Sequence, residues 1–176
     1  MTVKIKLVRE GVKLPEYARI GDAGMDVVAA ENVTIRPGET VVVPTGISVA
    51  IPKGYELQVR PRSGVSLKTK LRVANAPGTI DSGYRGEIGV IMTNTSDKWL
   101  YSAGDMKLTY SGKYSYSING KGINTSNSSD DGTYVIEKGD RIAQIVLKQF
   151  ETIDWEVCEE LDETERGADG YGSTGV

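Results

Sequence analysis

Apolar residues recur along this chain in short runs, many of them alternating with polar ones, and no segment sustains a 3.6-residue period. The runs "VKIKLV" (3–8), "TVVVP" (40–44), "GISVAIP" (46–52), "YELQVR" (55–60), "EIGVIM" (87–92) and "RIAQIVLKQF" (141–150) predict β-strands. Between them lie "RPGE" (36–39), "PKG" (52–54), "APG" (76–78) and "EKGD" (137–140), each setting a tight turn with proline or glycine. One brief helical turn is expected around Val65 to Lys70. The fold class is therefore all-β: a sandwich, barrel or jelly roll.

Residues 97–134 have a different texture, with Trp99 and the tyrosines Tyr101, Tyr110, Tyr114, Tyr116 and Tyr134. Alternation in "KYSYSI" followed by Asn119-Gly120 predicts a β-hairpin excursion, and the polar run "NTSNSSDDG" a loose connection back. Near the end, "EVCEELDETE" (156–165) carries six acids in ten residues, the composition of a solvated linker. The closing "RGADGYGSTGV" (166–176) has two readings. One is a loose chain end, because glycine costs backbone entropy to order. The other is an arm that orders over a ligand, since glycine N–H groups, Arg166, Ser173 and Thr174 supply donors for phosphate oxygens.

Length and composition narrow the function. A chain of 176 residues, 39% hydrophobic, suits one domain with a single core. The expected organisation is residues 1–165 as the domain, excursion included, and 166–176 as the arm. A formal charge of -3 lacks the basic bias of a nucleic-acid binder, so any anionic ligand must be met by a local cluster. No apolar run approaches the roughly 20 residues of a membrane span, and no signal-like stretch opens the chain, so a cytoplasmic protein is expected. The single cysteine, Cys158, excludes an internal disulfide and a cysteine-cluster metal site. The absence of histidine excludes serine–histidine and cysteine–histidine nucleophiles and histidine-ligated zinc. An enzyme built from this chain draws its base from carboxylates, and the metal it suits is a hard ion such as magnesium.

Five polar, glycine-punctuated stretches stand out: "DAGMD" (22–26), "RPRSG" (60–64), "NAPGTIDSGYRGE" (75–87), "GDRIAQ" (139–144) and "RGADGYGSTG" (166–175). Singly, such strings arise by chance. Together and in this order they closely resemble the five motifs of the trimeric all-β dUTP pyrophosphatases. The resemblance implies a jelly-roll-like distorted β-barrel, a homotrimer with three shared active sites, and Mg2+-dependent hydrolysis of dUTP to dUMP and pyrophosphate. That activity keeps uracil out of DNA and supplies dUMP. Splitting a nucleoside triphosphate at its α-phosphate needs an aimed water, a base, and cations to absorb charge on the phosphate oxygens.

The resemblance also implies roles for particular residues. Asp81 matches the aspartate that activates the attacking water; read alone, it serves equally as an Asx-turn residue in "DSGY". Tyr84 matches the ring that stacks on deoxyribose and leaves no room for a 2′-hydroxyl; its plainer reading is a strand aromatic. Asn75 and the backbone of the 75–84 hairpin, Gly78 and Ile80 included, match the uracil-reading slot. Arg62, Ser63 and Gly64 match a phosphate-contacting loop, although Arg60 and Arg62 also read as solvated charges. Asp26 matches the aspartate that assists metal binding through water, or caps a turn. Arg141 and Gln144 match the fourth motif, with Ile142, Ile145 and Leu147 serving the core; Asp140 and Arg141 read equally as a structural ion pair. In the arm, Arg166, Gly172, Ser173 and Thr174 match the set that holds the γ-phosphate, and Tyr171 covers uracil where phenylalanine is commoner.

The departure from the pattern is the stretch of about 38 residues between the third and fourth motifs, longer than compact domains carry without function. It reads as a hairpin covering the barrel, or as an adaptable tyrosine-rich docking surface. The arrangement resembles phage-encoded trimeric dUTPases, some of which bind a bacterial repressor; that makes a repressor contacted through 97–134 a second expected partner, and the host cytoplasm the expected location. Two alternatives stand beside the hydrolase: a dCTP deaminase of the same fold, and an interaction protein whose nucleotide site acts as a sensor.

Overall fold

The computed structural model describes residues 1–96, 114–118, 122–124 and 132–170. Among these residues the fold is all-β apart from one short helix. Three antiparallel groups carry most of the fold. In the largest, β2 (Met25–Val28), β13 (Arg141–Gln149), β6 (Tyr55–Pro61) and β8 (Gly78–Ile80) lie side by side in that order. In the second, β9 (Gly89–Asn94) lies between β4 (Thr40–Pro44) and β7 (Leu71–Val73), and in the third β1 (Lys4–Leu7) pairs with β5 (Ile47–Ala50). The fourth sheet holds β3 (Val33–Ile35), β12 (Tyr134–Ile136), β10 (Tyr114–Ser117) and β11 (Gly122–Asn124).

Period-two alternation builds the core. Along β6, Leu57 and Val59 point inward, and along β9 Val90, Met92 and Asn94 do the same, while the residues between them stay partly exposed. β13 runs against β6 for seven paired positions, from Ala143–Pro61 to Gln149–Tyr55, and buries Ile142, Ala143, Ile145 and Val146. Leu147 packs against the core partly buried. Among the described residues no helix is long and apolar enough to cross a membrane.

Two features differ from expectation. The helical turn begins earlier, at Ser63, and α1 spans Ser63–Lys68. The segment 75–84 is not a self-contained hairpin: β8 pairs with β6 through Val59–Gly78 and Leu57–Ile80, so its partner lies some twenty residues upstream. The strands 25–28, 33–35, 71–73, 78–80 and 134–136 also go beyond the predicted runs. They are three or four residues long and stand on pairing with distant segments rather than on their own pattern.

The expected hairpin within 97–134 is present as β10 and β11, antiparallel with Tyr116 opposite Gly122. β10 then joins the barrel by pairing in parallel with β12, Tyr116 opposite Tyr134. The two rings stand 5.6 Å apart and tilted by 37°, and the Tyr134 hydroxyl accepts a hydrogen bond from the Lys70 amide at 2.9 Å. Trp99, Tyr101, Tyr110, the Asn119-Gly120 pair and most of the polar return lie outside the described residues. The excursion is rooted by Asn94, whose side chain is fully buried. Its amide donates to the Ile35 carbonyl at 3.0 Å and the Gly132 carbonyl at 2.7 Å, and its oxygen accepts from the Ser96 amide at 3.0 Å.

The N-terminal segment straps the barrel. Val8 donates its amide to the Gly46 carbonyl, and Lys138 reaches the Glu10 carbonyl at 2.9 Å. Arg9 forks between Glu31 and Glu87, each at 2.7 Å. The hydrogen bond from Arg9 holds the Glu87 carboxyl below the ordinary carboxylate range; partial burial opposes this, and the Gly46 amide, 2.8 Å away, adds to it.

Asn94→Ala is expected to lower unfolding stability by about 3 kcal/mol, because two carbonyls and one amide lose their buried partner; chemical denaturation measures it. Glu87 binds its proton more weakly in the folded chain than in the unfolded one. Its contribution to stability is complete above the unfolded value of about 4.3 and is lost as pH falls through the lower folded value. Thermal melts in that acid window are expected to fall more steeply for the wild type than for Glu87→Gln.

Candidate active site

The candidate residues gather into two groups along β6, one on β8 beside Leu57 to Val59 and one at the Pro61 end. The first surrounds β8, an edge strand with one side of its backbone free of the sheet. Asn75, Gly78, Ile80, Asp81 and Tyr84 line a cleft of about 230 Å3, floored by Val59 and Ile91. Gly78 fits closely: a Cβ there would stand 3.0 Å from the Asn75 amide nitrogen and 3.4 Å from Val59, so a side chain would press Asn75 aside. The cleft thus offers an apolar slot, a side-chain amide and open backbone groups, the ingredients for reading a flat heterocycle.

Asp81 follows β8 with its carboxylate exposed, and no hydrogen bond to that carboxylate is present among the described residues. The turn that follows is closed by the backbone, Tyr84 amide to Asp81 carbonyl at 3.1 Å, so the Asx-turn reading is replaced by a free carboxylate. Tyr84 is 47% exposed and donates its phenol to the Glu87 carbonyl at 2.9 Å, which makes it no core aromatic. Arg85 Nη1 caps the Ser82 and Tyr84 carbonyls, both at 2.7 Å, and the Ser48 hydroxyl bonds the Arg85 carbonyl at 2.6 Å.

The second group lies where β2, β13 and β6 run together. Their register sets Asp26, Gln144 and Arg60 in one row. Arg62 Nε meets Asp26 Oδ1 at 2.7 Å and Nη2 meets Oδ2 at 3.2 Å, a near-bidentate fork, and Arg141 Nη1 approaches Oδ2 at 3.4 Å. One carboxylate therefore holds two guanidiniums, neither of them simply solvated, and Asp26 caps no turn. The Asp140–Arg141 ion pair does not form: Asp140 instead accepts the Glu137 amide at 2.8 Å and closes its own turn. Gln144 donates to the Pro61 carbonyl at 2.9 Å. Ser63 and Gly64 sit exposed on the first turn of α1, not in a loop. Arg60 bonds the Gln58 side chain at 2.6 and 2.9 Å.

The two groups adjoin where Ala76 and Pro77 share a hollow of about 570 Å3 with Arg60, Ser63 and Gln144, but Asp81 and Arg62 stand well apart within one chain. Leu57 faces Ile80, and five residues further along comes Arg62, a separation of about 17 Å at ~3.3 Å per residue. Arg166 joins neither; its Nε donates to the Asp169 carbonyl at 2.9 Å within its own turn. Tyr171, Gly172, Ser173 and Thr174 lie outside the described residues. Residues 151–170 form no strand or helix, and Trp155, Val157 and Leu161 are 85%, 97% and 84% exposed. Sequence reasoning missed Glu87 and Arg9 altogether; Glu87 closes the third motif, and the only signal was that an acid ends "GYRGE".

The described residues contain no cluster of three or more acidic or cysteine side chains able to cage a metal. Asp26 is committed to two arginines through three hydrogen bonds and keeps a lone pair on Oδ1 free, which fits a cation that arrives on a polyphosphate and is touched through water.

The family model for dUTPase matches residues 10–105 and 118–175. The unmatched 106–117 falls inside the tyrosine-rich excursion and is shorter than the 38 residues set apart by texture. The deoxyuridine 5'-triphosphate nucleotidohydrolase of Fusobacterium nucleatum is 42% identical over 176 residues, covering 98% of this chain and 97% of that protein. Among solved structures, a point mutant of the dUTPase of Staphylococcus bacteriophage 80alpha, with dUpNHpp, superposes with a TM-score of 0.84 at 35% identity, covering 99% of each chain. Phage dUTPases of this kind are described as controlling transfer of virulence genes by a proto-oncogenic G protein-like mechanism. A point mutant of the dUTPase of phage phi11 of S. aureus, with a TM-score of 0.76 at 33% identity over 91% of this chain and 98% of that one, is described as coordinating a structural Mg(II) ion. With its five motifs, its all-β sheets and its full-length relatives in agreement, this chain belongs to the dUTPase family.

Proposed function

We propose that this chain hydrolyses dUTP to dUMP and pyrophosphate, and the observation that carries the mechanism is the unpartnered Asp81 carboxylate at the mouth of the Asn75–Tyr84 cleft. Uracil enters the slot beside β8, read by Asn75 and the open backbone around Gly78 and Ile80. Tyr84 lies along the sugar, where a 2′-hydroxyl would collide with the ring. Asp81 accepts a proton from a water as its oxygen attacks the α-phosphorus; the bond to the β-phosphate bridge oxygen breaks and pyrophosphate leaves. Arg62, Arg141 and Arg166, with the Ser63 and Thr174 hydroxyls, supply positive charge and donors to the phosphate oxygens. Asp26 would reach, through water, a magnesium ion borne by the triphosphate, which would supply further positive charge to those oxygens.

The separation along β6 makes a second copy part of the reading. Asp81 of one copy and Arg62 of another act on one substrate, and the exposed apolar residues between 150 and 161 supply a surface for such an assembly. A homotrimer with three shared sites satisfies both, with residues 1–165 as the body and 166–176 closing each site. The excursion supports a second reading, a docking surface for a bacterial repressor. In favour are the position of β11 at the edge of its sheet and the phage relatives' part in gene transfer.

Pyrophosphate release is expected from dUTP and not from dCTP, dTTP or UTP, and Asp81→Asn is expected to lower it roughly a thousandfold; ammonia from dCTP would point to a deaminase instead. Refolding Asp81→Asn together with Arg62→Ala is expected to restore activity that neither variant has alone, because mixed assemblies contain sites with both residues intact. Deleting residues 100–131 is expected to abolish repressor binding in a pull-down; undiminished binding would exclude the excursion as the docking surface.

A further inference from the structure

We infer that Glu87, held by Arg9, is a positioning residue that sets the pose of the Tyr84 ring and so the discrimination between deoxyribose and ribose. The inference rests on the sugar-filter reading of Tyr84. A ring that is nearly half exposed is not located by packing, so its pose depends on the few bonds that hold it. Two are present: the backbone turn to Asp81 and the phenol hydrogen bond to the Glu87 carbonyl. The ring folds back across Gly86, where any Cβ would fall on the phenol, so residues 84 to 87 form one compact unit.

The position of that unit is decided at Glu87. Its Oε1 accepts from Arg9 Nε at 2.7 Å and from the Gly46 amide at 2.8 Å, which ties the peptide bearing the phenol's acceptor to two segments outside the loop. Arg9 is anchored in turn by the Val8–Gly46 backbone bond, and the nitrogen that meets Glu31 is Nη1, not the Nε that holds Glu87. The discrimination turns on one hydroxyl, and a ring displaced by about 1 Å admits it, so the fixity of the support matters as much as the ring. Neither Arg9 nor Glu87 needs to touch substrate to act this way.

The test measures kcat/KM for dUTP and for UTP on the full chain, alongside melting temperature. Glu87→Gln, nearly isosteric, and Arg9→Gln are expected to lower the dUTP-to-UTP ratio about threefold to tenfold, the scale of one lost hydrogen bond. Glu31→Gln touches the far side of Arg9 only; it is expected to keep the ratio even where it lowers the melting temperature. Adding Glu87→Gln to Tyr84→Ala is expected to change the ratio no further than Tyr84→Ala alone. An equal fall for both substrates in Glu87→Gln and Arg9→Gln, with the ratio intact while Tyr84→Ala lowers it, would overturn the inference and leave the filter standing. A ratio that survives Tyr84→Ala would remove the filter reading itself, and the inference with it.

Discussion

β6 is paired along both edges, seven positions with β13 on one side and β8 on the other, and that double pairing fixes everything chemical about this chain. A strand held on both sides neither bends nor slips, because a one-residue slip would turn Leu57 and Val59 out of the core. Its two ends therefore stand a set distance apart. One presents the cleft and the Asp81 carboxylate, the other the arginines around Asp26. The rigidity that aims each group also keeps them from closing on one substrate within a chain, so in the proposed assembly joining them falls to a second copy.

The charges follow the same logic. A chain with formal charge -3 and no histidine handles a polyanion by local concentration. Asp26 gathers Arg62 and Arg141 on a single carboxylate, leaving a net positive corner. Asp26 and Arg62 are each about a quarter exposed, where an ion pair adds little stability, so the use of this one lies in orientation. The Arg62 guanidinium is held on three sides, by both Asp26 oxygens and by the Arg141 carbonyl.

Much of this was legible in the sequence, and the limits have physical causes. The longer runs at 40–44, 55–60 and 141–150 became strands because alternation or sustained apolarity is itself the signal for burial. Val33–Ile35, Leu71–Val73 and Gly78–Ile80 were missed because three residues hold no period. The motif residues were readable because glycine-bound strings are local. Their partners were not: Asp26 and Arg62 lie 36 residues apart and Arg9 and Glu87 lie 78 apart, and only tertiary folding brings such pairs together. Asp140 beside Arg141 suggested a pair by adjacency, but Asp140 closes the turn before β13 on the Glu137 amide while Arg141 reaches Asp26.

Asn94 carries a consequence of a different kind. By gripping the Ile35 and Gly132 carbonyls and the Ser96 amide, it fastens both edges of the gap from which the excursion springs. The barrel thereby acquires a splice point. Chain inserted between those fastened edges leaves and rejoins the barrel at fixed points, and returns to it through β10 beside β12. Variation in length between those points then falls on the inserted chain, while Asn94 keeps the flanking carbonyls in place.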